Sequence, residues 1–96
     1  MEQLESKFAE RIQDSIRQSR ALGYPPTRFE NMLLKMGALR LAKKLVISGD
    51  IQTGLKEVAK LGRKDLAMES IMLEPIFEKL FTVEELEAAR WRLQQI

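Results

Sequence analysis

At the start of the chain, apolar residues recur every four positions among charged and amide residues. Within about residues 2–22 these apolar positions are Leu4, Phe8, Ile12 and Ile16. Four-residue spacing places them on one side of a helix, so the pattern predicts a long amphipathic helix at the amino terminus. Gly23 stands where a left-handed helix C-cap is expected, and Pro25 and Pro26 cannot continue a helix. The first predicted helix therefore ends close to residue 22.

Beyond the prolines, the same spacing comes in shorter runs that glycines and prolines separate. The runs predict helices over about residues 29–36, 39–46, 52–61, 65–72 and 83–93, with a short segment at 75–81. No run alternates convincingly, as a half-buried strand would. Short helices are unstable alone because nucleation is costly, so they must pack together. We predict an all-α fold with an N-terminal amphipathic helix at 1–23 and a compact domain of six to seven short helices at 24–96.

Three positions carry the residue types that begin helices. Thr27 and Glu30 have the spacing of a capping box, in which each side chain accepts from the other residue's backbone amide. Thr82 and Glu85 repeat that spacing near the carboxyl terminus. Asp65 follows a glycine-containing turn and is a predicted N-cap. We therefore expect helices to begin at or just after these three points.

The N-terminal helix has two predicted roles. It either packs back on the rest of the chain or forms an arm that joins two copies in a homodimer. Near the other terminus, one tryptophan departs from the apolar side of the last predicted helix, and an exposed tryptophan is a frequent interface anchor. The candidate residues for an oligomer or partner interface are Leu4, Phe8, Ile12, Ile16 and Trp91.

The composition removes most catalytic chemistry. The chain contains neither cysteine nor histidine. Disulfides, thiolate metal sites and nucleophiles that depend on histidine are therefore excluded, and the commonest zinc ligand is missing. Glu84 and Glu85 form a carboxylate pair, but their place in a first helical turn is explained by the helix dipole. We expect no catalytic residue, no metal site and no cofactor.

The amino terminus is charged from its first residues and contains no long apolar run. Such a run is what a signal peptide or a membrane-spanning helix requires. We therefore expect a cytoplasmic protein that has no membrane partner.

Charge is sorted by region along the chain. Residues 35–64 carry eight cations and two anions, whereas residues 65–96 carry three cations and seven anions. A basic centre beside an acidic end can select partners by the sign of their charge. The basic residues form either a solvated surface, partly neutralised by the acidic end, or an anion-binding surface. The candidates for anion or nucleic-acid binding are Arg40, Lys43, Lys44, Lys56, Lys60, Arg63 and Lys64.

A spread pattern of residues runs from Tyr24 to Leu93. Its clearest parts are Tyr24-Pro25, Met32-Leu33, Gly62-Arg63, Asp65-Leu66 and Leu80-Phe81-Thr82. The pattern resembles a small helical domain that recurs in uncharacterised bacterial proteins, alone or as a C-terminal extension of larger ones. The resemblance covers about 70 of the 96 residues. It implies an all-helical fold and a bacterial, phage or mobile-element setting, but it implies no activity and no residue roles.

These observations lead to one expected function and one alternative. We expect a non-enzymatic accessory module that binds another macromolecule, most often a protein, through a charged helical surface. The alternative is a protein that binds the phosphate backbone of nucleic acid through the basic region at residues 40–64.

Overall fold

The computed structural model describes residues 2–48 and 53–96, apart from the side chain of residue 53. Its α-helices are α1 (Glu2–Ala21), α2 (Thr27–Met36), α3 (Ala38–Val46), α4 (Thr53–Lys60), α5 (Met68–Met72) and α6 (Val83–Gln94). Two 3₁₀ helices, Lys64–Leu66 and Pro75–Leu80, lie on either side of α5. No strand occurs within the two described ranges. The predicted all-α class, with a long first helix followed by short ones, is confirmed.

The main hydrophobic core is built around α1. Phe8 is fully buried between two aromatic rings, with centroid distances of 5.3 Å to Phe77 and 5.4 Å to Phe81, and both pairs meet edge to face. One turn and two turns later, Ile12 and Ile16 are also buried in this core. The four-residue stripe of the sequence is thus the inner side of α1, which packs on α3, α5 and both 3₁₀ helices.

The first helix and the segment that follows it contribute to the same core. Residues of α1 and of the segment 24–96 belong to the same hydrophobic cluster, so the two parts share one core. Of the two roles predicted for the first helix, packing back on the chain is the one observed. The physical reason is that the apolar stripe of α1 is removed from water when it packs on the short helices that follow.

A second, smaller hydrophobic cluster lies beside the main core. It consists of four buried residues, with Leu93 and Ile96 packed against them: Leu55, Val58, Leu66 and Ala67. α4 makes its principal packing contact with the 3₁₀ helix Lys64–Leu66. The chain therefore buries apolar surface in two neighbouring places.

The junction between α2 and α3 depends on Gly37. Its backbone has φ of 81°, in the left-handed region that favours glycine. In this conformation the Gly37 amide donates to the carbonyl of Leu33 at 2.9 Å, and the Gly37 carbonyl accepts from the amide of Leu41 at 3.1 Å. One residue thus ends α2 and begins α3, as the sequence predicts.

The three predicted helix starts have different outcomes. At Thr82 the capping box is formed, since the Thr82 hydroxyl accepts from the Glu85 amide at 3.1 Å and the Glu85 carboxylate accepts from the Thr82 amide at 2.9 Å. The box predicted at Thr27 is wrong: α2 already includes Thr27, and the Glu30 carboxylate pairs instead with Arg20.

Asp65 is likewise not the N-cap of a fifth helix. It lies inside the 3₁₀ helix Lys64–Leu66, and α5 begins later, after Ala67. The Asp65 carboxylate accepts from Arg63 at 2.9 Å, and this hydrogen bond holds the pKa of Asp65 below its ordinary value. The Asp65 carboxylate, which the sequence predicts to cap a helix, therefore binds the side chain of Arg63 instead.

Replacing Thr82 by alanine is expected to lower the free energy of unfolding by about 1 kcal/mol, because the Glu85 amide loses its acceptor. Thr27→Ala is the matched control, since the Thr27 side chain makes no capping bond, and its expected effect is within about 0.5 kcal/mol. Urea denaturation followed by circular dichroism measures both. Equal losses in the two variants would contradict the capping assignment.

Candidate functional site

Three of the seven predicted anion-binding residues are held by the chain itself. Lys43 Nζ donates to Glu85 Oε1 at 2.8 Å and lies 5.4 Å from the centre of the Phe81 ring. Arg63 donates to Asp65 and, at 3.1 Å, to the side-chain oxygen of Gln18 on α1. Lys64 Nζ donates to the backbone carbonyl of Ile96 at 2.8 Å. Lys43 is thereby joined to α6, whereas the contacts of Arg63 with Asp65 and of Lys64 with Ile96 lie at the surface.

The contact between Lys43 and Glu85 also joins α3 to the start of α6. The same Glu85 oxygen accepts from Lys43 and from the Thr82 amide. Burial by itself raises the pKa of Glu85, but the hydrogen bonds from Lys43 and Thr82 outweigh burial, so the pKa lies below its ordinary value. The acidic end of the chain thus neutralises part of the basic centre. This agrees with the interpretation of the basic residues as a solvated, partly neutralised surface.

The remaining four candidates lie on the outer sides of α3 and α4. Arg40 and Lys44 are one turn apart on α3, are exposed, and have no ion-pair partner among residues 2–48 and 53–96. Lys56 and Lys60 have the same spacing on α4. Lys60 Nζ lies 3.6 Å from Glu57 Oε1. The side chain of Lys60 is three-quarters exposed, so this ion pair is weak.

These two pairs of cations do not lie on helices that pack side by side. α3 packs on α1, α2, α5 and α6, whereas the principal neighbour of α4 is the 3₁₀ helix Lys64–Leu66. Three of the seven cations thus have partners within the chain, and α3 and α4 make no extensive contact with each other among the described residues. A single anion-binding surface formed by all seven stays a prediction.

An exposed apolar residue adjoins the free cations of α3. Ile47 directly follows α3 and is 68% exposed. It lies three positions after Lys44 and seven after Arg40, a spacing that places all three on one side of the helix. We call Arg40, Lys44 and Ile47 the α3 face.

The candidate interface residues separate into two groups. Phe8, Ile12 and Ile16 are buried in the core of the same chain, and Leu4 is half-buried against that core. The chain itself thus covers Phe8, Ile12 and Ile16 and partly covers Leu4, so these side chains contribute to its own core. Trp91 is 50% exposed on the outer side of α6.

A buried ion pair was not predicted from the sequence. Arg92 Nε donates to Glu69 Oε2 at 2.7 Å, and the two residues are only 1% and 2% exposed. The two terminal nitrogens of Arg92 are buried and have no hydrogen-bond partner in the part of the chain that the structure describes. The pair joins α5 to α6 inside the protein.

The sequence held a signal for this pair. On α6, the inward residues Leu86 and Ala89 define a side of the helix, and Arg92 follows Ala89 by three positions. Arg92, and not Arg90, therefore continues the inward side. An inward arginine requires a carboxylate partner, but only the packing of α5 on α6 identifies that partner as Glu69.

The described residues contain no group of three or more carboxylates arranged to hold a metal ion. In the same ranges, no helix combines the length and the apolar character needed to cross a bilayer.

Comparison of the chain with protein-family models, with curated proteins and with solved structures finds no significant match. Functional inference therefore depends on the geometry described above. The small all-helical fold agrees with the resemblance noted in the sequence, whereas the motif pattern and the bacterial setting remain predictions.

Proposed function

We propose that this chain is a non-enzymatic interaction module whose α3 face binds an acidic surface of another protein. One observation carries the proposal: Arg40 and Lys44 are exposed without ion-pair partners among the described residues, and Ile47, the C-cap residue of the same helix, is also exposed. The proposal includes the setting that the resemblance implies, a bacterial, phage or mobile-element system.

The composition of the α3 face favours a protein over nucleic acid. Protein interfaces combine an apolar centre with charged residues at the rim, and Ile47 with its two neighbouring cations has that character. Phosphate-backbone binding gains affinity from each phosphate that is neutralised, so it rewards many cations on one surface. Among the described residues, the exposed cations of this region that have no ion-pair partner are few, and they lie on two helices without an extensive mutual contact.

Reversing both charges, as Arg40→Glu/Lys44→Glu, is expected to reduce retention of the partner protein at least about tenfold, because like charges placed opposite each other cost several kcal/mol. The measurement is quantitative mass spectrometry of proteins retained from a nuclease-treated extract of the host cells. The matched control is Lys79→Glu/Arg90→Glu, which makes the same change in net charge at two other exposed positions.

A second measurement separates the two functions. Wild type and both variants are titrated with single- and double-stranded oligonucleotides at low and high salt. We expect weak binding that does not distinguish the two double variants. Tight, strongly salt-dependent binding that the α3 variant alone loses would replace the proposal with nucleic-acid binding. Protein retention that is unchanged in the α3 variant would show that the α3 face is not the binding surface.

A further inference from the structure

A cavity of about 420 Å³ lies between the two hydrophobic clusters. Its walls come from α1, the segment that joins α1 to α2, the first part of α2, the end of α3, α4, the 3₁₀ helix Lys64–Leu66 and the start of α5. From the main core it is lined by residues such as Ile16 and Met68, and from the smaller cluster by Leu55 and Val58. Its volume lies within the range of pockets that hold small molecules, about 300–1,000 Å³, and is too small for a docked helix.

A few polar groups face this mostly apolar space. Ser15 and Ser19 are one turn apart on α1, are almost fully buried, and line the cavity. The Ser15 hydroxyl donates to the carbonyl of Ile12 at 2.7 Å, so its oxygen can still accept. Tyr24 also lines the cavity. Burial and then the nearby Glu57 carboxylate raise the pKa of Tyr24, so its hydroxyl keeps its proton at neutral pH. A small number of placed polar groups in an apolar cavity is characteristic of a ligand site.

Glu69 gives the cavity its chemical preference. It lines the cavity, and its side chain is only 3% exposed. One oxygen accepts from Arg92 Nε, and the other has no hydrogen-bond partner among residues 2–48 and 53–96. Because Glu69 lines the cavity, a ligand there that supplies a donor can form a charge-assisted hydrogen bond with this second oxygen.

The pairing with Arg92 also determines which charge the ligand carries. Glu69 and Arg92 together are neutral, and Arg28, which also lines the cavity, is exposed, so its charge is hydrated. A cationic group placed beside Glu69 would leave a net charge next to the buried pair. An anionic ligand would meet the Glu69 carboxylate as a like charge. Both arrangements are expensive beside a buried ion pair. A neutral donor, such as a hydroxyl or an N–H group, satisfies Glu69 without either cost.

We infer that this cavity binds a small neutral amphipathic molecule, which places its apolar part between the two hydrophobic clusters and donates one hydrogen bond to Glu69. This inference is independent of the proposed function, because none of the α3-face residues lines the cavity.

The test uses three probes of the same length in isothermal titration calorimetry at neutral pH: octan-1-ol, octanoate and octylamine. Octan-1-ol is expected to bind with a single site, and the two charged probes at least about tenfold more weakly, since each tenfold corresponds to about 1.4 kcal/mol. Amide chemical shifts in NMR should move at Ser15, Ser19 and Val58. Absence of octanol binding, or octanoate binding as tight as octanol, would overturn the inference.

Two variants locate the binding within the cavity. Ser19→Leu fills it from α1, and the matched control Ser6→Leu makes the same change at an exposed position of the same helix. If Ser19→Leu does not fold, Ala67→Val is used, because Ala67 lines the cavity with an extended backbone that a branched side chain accepts. We expect the filled variant to lose octanol binding at least about tenfold and the control to keep it. Unchanged binding in a folded, filled variant would place the probe elsewhere and reject the site.

Discussion

Arg92→Met is expected to lower the free energy of unfolding by about 3–5 kcal/mol, because it leaves the Glu69 carboxylate buried without its partner. Glu69 is 2% exposed and accepts its one protein hydrogen bond in the described chain from Arg92. Small domains are stable by about 5–15 kcal/mol, so such a loss removes a large share of the total. Glu69→Met is expected to cost a similar amount, since it leaves the arginine unpaired.

The double variant Glu69→Met/Arg92→Met is expected to recover most or all of this stability, because two apolar side chains fill the same space without buried charge. Urea denaturation of the wild type, both single variants and the double variant completes a double-mutant cycle. Arg90→Met is the matched control on the exposed side of α6, with an expected effect within about 0.5 kcal/mol. If the losses of the two single variants simply add in the double variant, the buried pair is not an energetically coupled unit.

Phe8→Ala is expected to cost about 3–5 kcal/mol of stability, because it removes a fully buried ring and leaves a cavity between Phe77 and Phe81. The measurement is denaturation monitored by circular dichroism, together with the mass in sedimentation equilibrium. Lys7→Ala, at the neighbouring exposed position of α1, is the control and should change stability by no more than about 0.5 kcal/mol.

This experiment also separates the observed role of α1 from the dimer-arm hypothesis. If α1 belongs to the core, truncating Phe8 lowers the free energy of unfolding of the whole chain, whether the protein is a monomer or a dimer. If α1 were an arm that joins two copies, truncating Phe8 would instead dissociate the dimer and halve the measured mass. The remainder of each chain would stay as stable as before. An unchanged denaturation midpoint with a halved mass would therefore contradict the packing described here.

The local sequence was sufficient to predict features that depend only on residues within one helix or one turn. The four-residue stripe of α1, the turn at Gly37 and the capping box at Thr82 need only residues a few positions apart, and all three are observed. It was insufficient where another side chain competes with the backbone amide for the same carboxylate. Glu30 binds Arg20 instead of capping α2, and Asp65 binds Arg63 instead of capping α5.

The same distinction applies to the candidate sites. Spacing alone placed Arg40 and Lys44 together on one side of α3, because residues one turn apart are neighbours on any helix. Lys43 lies between them in the sequence, and its spacing could not show that it forms an ion pair with Glu85, which is 42 positions away. The basic centre of the sequence is consequently divided into cations that hold the fold together and cations that face solvent.

By itself, the amino-acid sequence determined the all-helical class, the long first helix and the positions of most helix ends, because these depend on periodicity, on glycine and proline, and on interactions within a turn or two. Only the tertiary structure decided that α1 lies in the core, that Glu69 meets Arg92, and that a cavity remains between the two hydrophobic clusters. These features depend on which helices pack against each other, and contacts between distant parts of a chain leave no periodic trace in its sequence.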